Sequence, residues 1–145
     1  MNSILITNYS YYDKEYIKTF AEQQKYKFVS ISSGTSTLVP LYKELLREII
    51  DSLVENTFKD KPLSELQTKS IQSVFANRIK EELENRDASN IKGFARRTIF
   101  GKEYKLDLKL NPNNDRMIED MHKIYLIAEE CLQENKPMYL SIEND

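Results

Sequence analysis

Between Ser64 and Gln133 the apolar residues change period twice, and a chain that does so must mix helix with strand. Ile71, Val74, Phe75, Ile79 and Leu83 recur at helical spacing, and Ser64 with Gln67 has the spacing of a capping box at their start. That pattern predicts a helix from Ser64 to about Asn85. Tyr104, Leu106, Leu108 and Leu110 then alternate with Lys105, Asp107 and Lys109, the period of a half-exposed strand. Phe94 to Phe100 precedes it, and Gly101-Lys102 is placed to turn a hairpin, with glycine first as a type II′ turn prefers. Met117, Ile118, Met121, Ile124, Tyr125, Ala128, Cys131 and Leu132 return to helical spacing, so a helix is expected from about Asn114 to Gln133.

The flanks fit the same alternation. Ile4 to Thr7 and Tyr26 to Ser32 read as strands, with Tyr16, Ile17, Phe20 and Ala21 marking a helix from Ser10 to Gln24 between them. A unit of this kind normally makes two parallel strands. A helix is expected from Leu38 to Asn56, with Pro40 in its first turn, then a break over Phe58 to Pro62. Met138 to Ile142 closes the chain as a strand. The expected order is β-α-β-α-α-β-β-α-β. The fold class is α/β of mixed α+β character, a mixed sheet of about five strands with four helices. Residues 1–145 are read as one globular domain, since no repeat, low-complexity tract or linker interrupts them.

Composition removes several function classes. The formal charge is −2, so no global field favours nucleic acid or membrane. The apolar runs are too short for a spanning helix, and a small, soluble, cytoplasmic protein is the expectation. One cysteine and one histidine exclude an internal disulfide and disfavour a zinc site. No metal ligands, cofactor motif or catalytic residues are assigned. Abundant Lys, Asn, Ile, Glu and Tyr is the bias of an AT-rich genome, as in many bacteria and phages.

Three features carry the functional expectations. Ser33, Gly34, Thr35, Ser36 and Thr37 form a polar loop between a strand and a helix. Helix-terminal amides, hydroxyls and a glycine there can receive a phosphate, and they can equally be a turn with a helix cap. The run Gly34-Thr35-Ser36-Thr37-Leu38 resembles the Gly-Thr-Ser loops of CRISPR-associated Rossmann-fold domains. Gly34, Thr35 and Ser36 match as residues, although in many of those domains the loop follows the first strand and here it follows the second. The resemblance implies a cyclic nucleotide or oligonucleotide ligand and, in some members, metal-independent phosphodiesterase activity.

The second feature is the hairpin from Ile91 to Lys109. Lys92, Arg96, Arg97, Lys102, Lys105 and Lys109 stand against Glu103 and Asp107, a local charge of +4 that leaves −6 on the rest. Phe94, Phe100 and Tyr104 interleave the cations, as in proteins that stack single-stranded bases on aromatic rings. The plainer reading is a solvated strand face that guards a sheet edge. Asp107-Leu108-Lys109 also has the spacing that PD-(D/E)xK nucleases use, but no upstream strand aspartate accompanies it.

The third feature is a tyrosine cluster, Tyr9, Tyr11, Tyr12 and Tyr16, which suits a recognition surface or ordinary packing. His122 reads as a boundary residue of its helix and Cys131 as a buried thiol. The expected function is non-enzymatic binding or regulation through a macromolecular interface formed by Tyr9, Tyr11, Tyr12, Arg96, Arg97, Lys102 and Lys105. A protein, a nucleic acid or a second copy of the chain are the partners considered. The alternative is nucleotide binding at the Ser32–Thr37 loop.

Overall fold

A computed structural model describes residues 3–8, 28–32, 39–47, 49, 58–86, 91, 95–108 and 114–143. The described elements are β1 (Ser3–Thr7), β2 (Phe28–Ser32), α1 (Val39–Arg47), β3 (Phe58–Pro62), α2 (Glu65–Asn85), β4 (Ala95–Ile99), β5 (Lys102–Leu106), α3 (Asn114–Gln133) and β6 (Tyr139–Glu143). The chain is therefore mixed helix and strand. The helix expected over 10–24 and the later part of the one expected over 38–56 lie outside the described residues.

Among the described residues two sheets stand where a single mixed sheet was expected. One has four strands in the order β2-β1-β6-β3, and the other is the β4–β5 hairpin. Every pairing in both is antiparallel. The parallel β1–β2 pair expected from sequence is thus corrected, with β2 running back beside β1 from Ser3↔Ser32 to Thr7↔Phe28. Side-chain alternation has the same period in either direction, so the pattern of each strand carries no information on its sense.

In the four-stranded sheet Ile6 lies in register with Val29 on one side and Leu140 on the other, and all three are buried. Ile4 is buried two residues earlier, so one face of the sheet is apolar. β3 was expected as a break because Phe58-Lys59-Asp60-Lys61-Pro62 shows no apolar period. It pairs with β6 through a register shift between Phe58 and Lys61, and Pro62 ends it. Proline is tolerated at such a strand boundary because its missing N–H is not needed there.

The helices α2 and α3 make the main helical contact. Thr68, Ile71, Phe75 and Ile79 form the buried stripe of α2. Met117, Ile118, Met121, Ile124, Ile127, Ala128 and Cys131 form that of α3. Each large side chain so buried contributes about 1.5–3 kcal/mol. The expected capping box is present: Gln67 N–H donates to Ser64 Oγ at 3.1 Å, and Ser64 N–H donates to Gln67 Oε1 at 2.9 Å. Tyr42 of α1 is buried with its ring edge-on to Phe75, and its hydroxyl donates to the Met117 carbonyl at 3.3 Å.

The hairpin turn also differs from expectation. Ile99 pairs with Lys102, so the two turn residues are Phe100 and Gly101. Their φ angles are 50° and 82°. Two positive φ values define a type I′ turn, whose twist matches that of the strands it joins. Glycine takes the second position at no steric cost, while Phe100 is an unusual occupant of the first.

Candidate functional site

The hairpin is the one sequence-derived candidate whose backbone and side chains are largely described. Along β4, Ala95 and Arg97 are half-buried and Ile99 is buried, whereas Arg96 and Thr98 are exposed. Along β5, Tyr104 is half-buried and Leu106 buried, whereas Glu103 and Lys105 are exposed. The period of two thus sends one face of the ribbon onto the helices and leaves the other in solvent.

The inward face is held by ion pairs. Arg97 Nε donates to both carboxylate oxygens of Glu119 on α3, each at 3.0 Å. Below it, Arg86, just past the end of α2, donates from Nη2 to Asp115 Oδ2 at 2.8 Å and to the Lys105 carbonyl at 2.6 Å. Its Nε lies 2.8 Å from Asp115 Oδ1, and both side chains are nearly buried. Asp115 also accepts the Asp107 N–H at 2.7 Å, and Arg116 donates to the Leu108 carbonyl at 2.9 Å. Two helices and the hairpin are therefore joined through one polar network. Pairs this sheltered position a segment more than they stabilise it, because desolvation offsets much of their attraction.

The outward face carries Arg96 opposite Lys105 and Thr98 opposite Glu103. Arg96 Nη1 sits 3.4 Å from Glu103 Oε1, both well exposed, a pairing worth little in water. Lys102 is exposed at the start of β5. Of the sequence-predicted contact residues, Arg96 and Lys105 share this solvent side, whereas Arg97 and Lys102 lie on the other face, Lys102 opposite Ile99 and exposed because it stands at the tip. Tyr9, Tyr11 and Tyr12 lie outside the described residues, as do Ser33, Gly34, Thr35, Ser36, Thr37, Lys92 and Lys109.

At the hairpin tip Phe100 is 39% exposed. Its ring meets Tyr125 edge-on at 5.1 Å and His122 edge-on at 6.2 Å, and those two rings are near-parallel at 6.3 Å. Lys80 Nζ lies 5.3 Å from the Phe100 centroid. A non-glycine residue held in the left-handed region costs about 1–3 kcal/mol. An aromatic pair returns about 0.5–1.5 kcal/mol and an exposed cation–π contact about 0.5–1 kcal/mol. Strain and contacts are of the same size, so Phe100 is a poor choice if stability were its purpose. Burial lowers the pKa of His122 against the opposing charges of Glu119 and Glu129. Burial and the neighbouring Glu129 carboxylate raise that of Tyr125.

Other features offer less. Cys131 is buried, its thiol 3.8 Å from the Pro137 carbonyl and pushed up to about 11, chiefly by burial. It borders a cleft of about 220 Å³ between the start of α2 and the end of α3. Its neighbour there, Thr68, turns its hydroxyl back to the Ser64 carbonyl at 2.9 Å. Small-molecule sites are usually about 300–1,000 Å³, larger than this cleft. Among the described residues no three His, Cys, Asp or Glu side chains are grouped to hold a metal. Asp107 follows the end of β5, and Lys109 lies outside the described residues. Among the described residues no helix is long and apolar enough to cross a membrane.

Sequence reasoning missed Arg86, Asp115, Glu119 and the platform around Phe100. Asp115, Glu119 and Lys123 do recur at four-residue spacing beside the apolar stripe of α3, which is the one signal available. Comparison with protein families, with curated proteins and with solved structures finds no match for this chain.

Proposed function

We propose that this protein is a non-enzymatic binding or regulatory factor that acts through the outward face of the β4–β5 hairpin on a macromolecular partner. The observation that supports this reading is the separation of the ribbon's two faces. Arg97 turns onto Glu119, while Arg96 and Lys105 project from the opposite, solvent face of a ribbon anchored by that pair and by the nearly buried Arg86–Asp115 pair, with Lys102 exposed at its tip. A rigid, exposed, cationic ribbon enters a complex with little ordering cost. The partners it suits are an acidic protein surface or a nucleic acid.

Charge reversal of Arg96 and Lys105 to glutamate tests the proposal. These residues are exposed, so the fold should persist, as a circular dichroism melt will show. Partner capture by the immobilised protein should be lost. Capture equal to that of the wild type would exclude the ribbon as the contact. Arg97→Glu does not serve, because it would set a second carboxylate against buried Glu119 and disturb the fold itself.

Nucleotide binding at Ser33–Thr37 stays as the alternative. The antiparallel β1–β2 pairing removes one argument for it, since the rule placing ligands at strand ends belongs to open parallel sheets.

A further inference from the structure

We infer that the hairpin tip stacks a base of single-stranded nucleic acid, with Phe100 as the platform and Lys80 and Lys102 as phosphate contacts. This rests on the hairpin being the binding element and names the partner it takes. Phe100 occupies a turn position that favours asparagine or glycine, and it does so with φ at 50°. Its ring contacts roughly repay that strain without exceeding it, and over a third of the residue remains in solvent. The edge-on contacts from Tyr125 and His122 fix the plane of the ring.

Charge at the tip selects the partner. Lys80 Nζ sits over the ring in a cation–π contact that a stacking base would displace toward its own phosphate, and Lys102 follows the turn; both lysines are exposed. Of the two carboxylates that face His122, Glu119 is engaged by Arg97 and lies 3.9 Å from Lys123, and Glu129 also faces the Tyr125 hydroxyl. A flat π surface flanked by lysines matches a nucleotide, which offers a stacking face and a phosphate together. An acidic peptide would use the lysines and leave the ring without purpose. The overall charge of −2 gives no long-range steering, so binding should be modest and salt-sensitive.

The probe is a fluorescein-labelled twelve-nucleotide thymidylate strand, titrated by anisotropy with the full chain at low and physiological salt. Saturable binding is expected. Phe100→Asn should weaken it about 5- to 150-fold, the span measured for one stacked base. Asparagine accepts the left-handed backbone, so the fold should survive. Phe100→Tyr should bind as the wild type does. Lys80→Ala and Lys102→Ala should each reduce the salt slope by about one phosphate's contribution.

Absence of saturable binding would overturn the inference, as would equal binding by Phe100→Asn, or equal competition by a twelve-residue glutamate peptide. The Arg96→Glu, Lys105→Glu protein separates the two levels. If the oligonucleotide fails while partner capture still depends on those residues, only the partner class falls. If both fail, the hairpin reading falls as well.

Discussion

Replacing Asp115 with alanine is expected to be among the most damaging single changes at this hairpin. Asp115 is 8% exposed, accepts one hydrogen bond from Arg86 Nη2 and one from the Asp107 N–H, and has Arg86 Nε 2.8 Å from its other oxygen. The Arg86 side chain is 7% exposed, so its charge would be left nearly buried with the Lys105 carbonyl as its partner among the described residues. Breaking one side of such a pair costs about 3–5 kcal/mol. A domain of ordinary stability has about 5–15 kcal/mol in total, so the loss is a large fraction of it. With urea slopes of about 1–3 kcal/mol per molar, the midpoint should fall by roughly 2 M. Asp115→Asn should lose less, because it keeps an acceptor for the Asp107 amide. Arg86→Met with Asp115→Leu should recover much of the loss, since an apolar pair carries no desolvation cost. Recovery stays incomplete because the Asp107 amide still lacks its acceptor, worth about 1–3 kcal/mol. Urea titrations followed by circular dichroism supply the numbers. A loss below about 1 kcal/mol for Asp115→Ala would show that the pair behaves as a surface bridge and would refute the account of how the hairpin is anchored.

Two further outcomes follow from single side chains. Cys131, the only cysteine, is buried with its thiol pushed up to about 11, so a disulfide-exchange reagent should modify it slowly in native buffer and rapidly in denaturant; equal rates would contradict its burial. His122 has a pKa lowered from 6.5, mainly by burial, so the unfolded chain binds its proton more tightly than the fold does. Its contribution is therefore complete above about pH 6.5 and is lost as the pH falls through the folded value. His122→Gln should flatten the stability profile as the pH falls below about 6.5, and parallel wild-type and variant profiles would disprove it.

Local chemistry made several elements legible without coordinates. The capping box at Ser64 and Gln67 is a contact between residues three apart, so it depends on nothing distant. The stripes of α2 and α3 were readable for the same reason, because a helix repeats its face every few residues whatever it packs on. The alternation around Tyr104 and Leu106 likewise announced a strand with one wet face. β3 escaped notice because its five residues carry no apolar period and are a strand by virtue of pairing with β6.

What only tertiary structure decided is which faces meet. The sense of β2 against β1 depends on hydrogen bonds between strands far apart in sequence, and a period of two is blind to it. Arg96 and Arg97 are chemically equivalent neighbours, yet the pleat sends one to solvent and the other to Glu119, twenty-two residues away. Phe100 becomes a platform only because the turn places it over Tyr125, His122 and Lys80 from two different helices. The sequence alone determined the helical and extended segments, whose causes are local. Long-range packing decided the antiparallel sheet, the clamp and the tip, because contacts between distant residues leave no spacing to read.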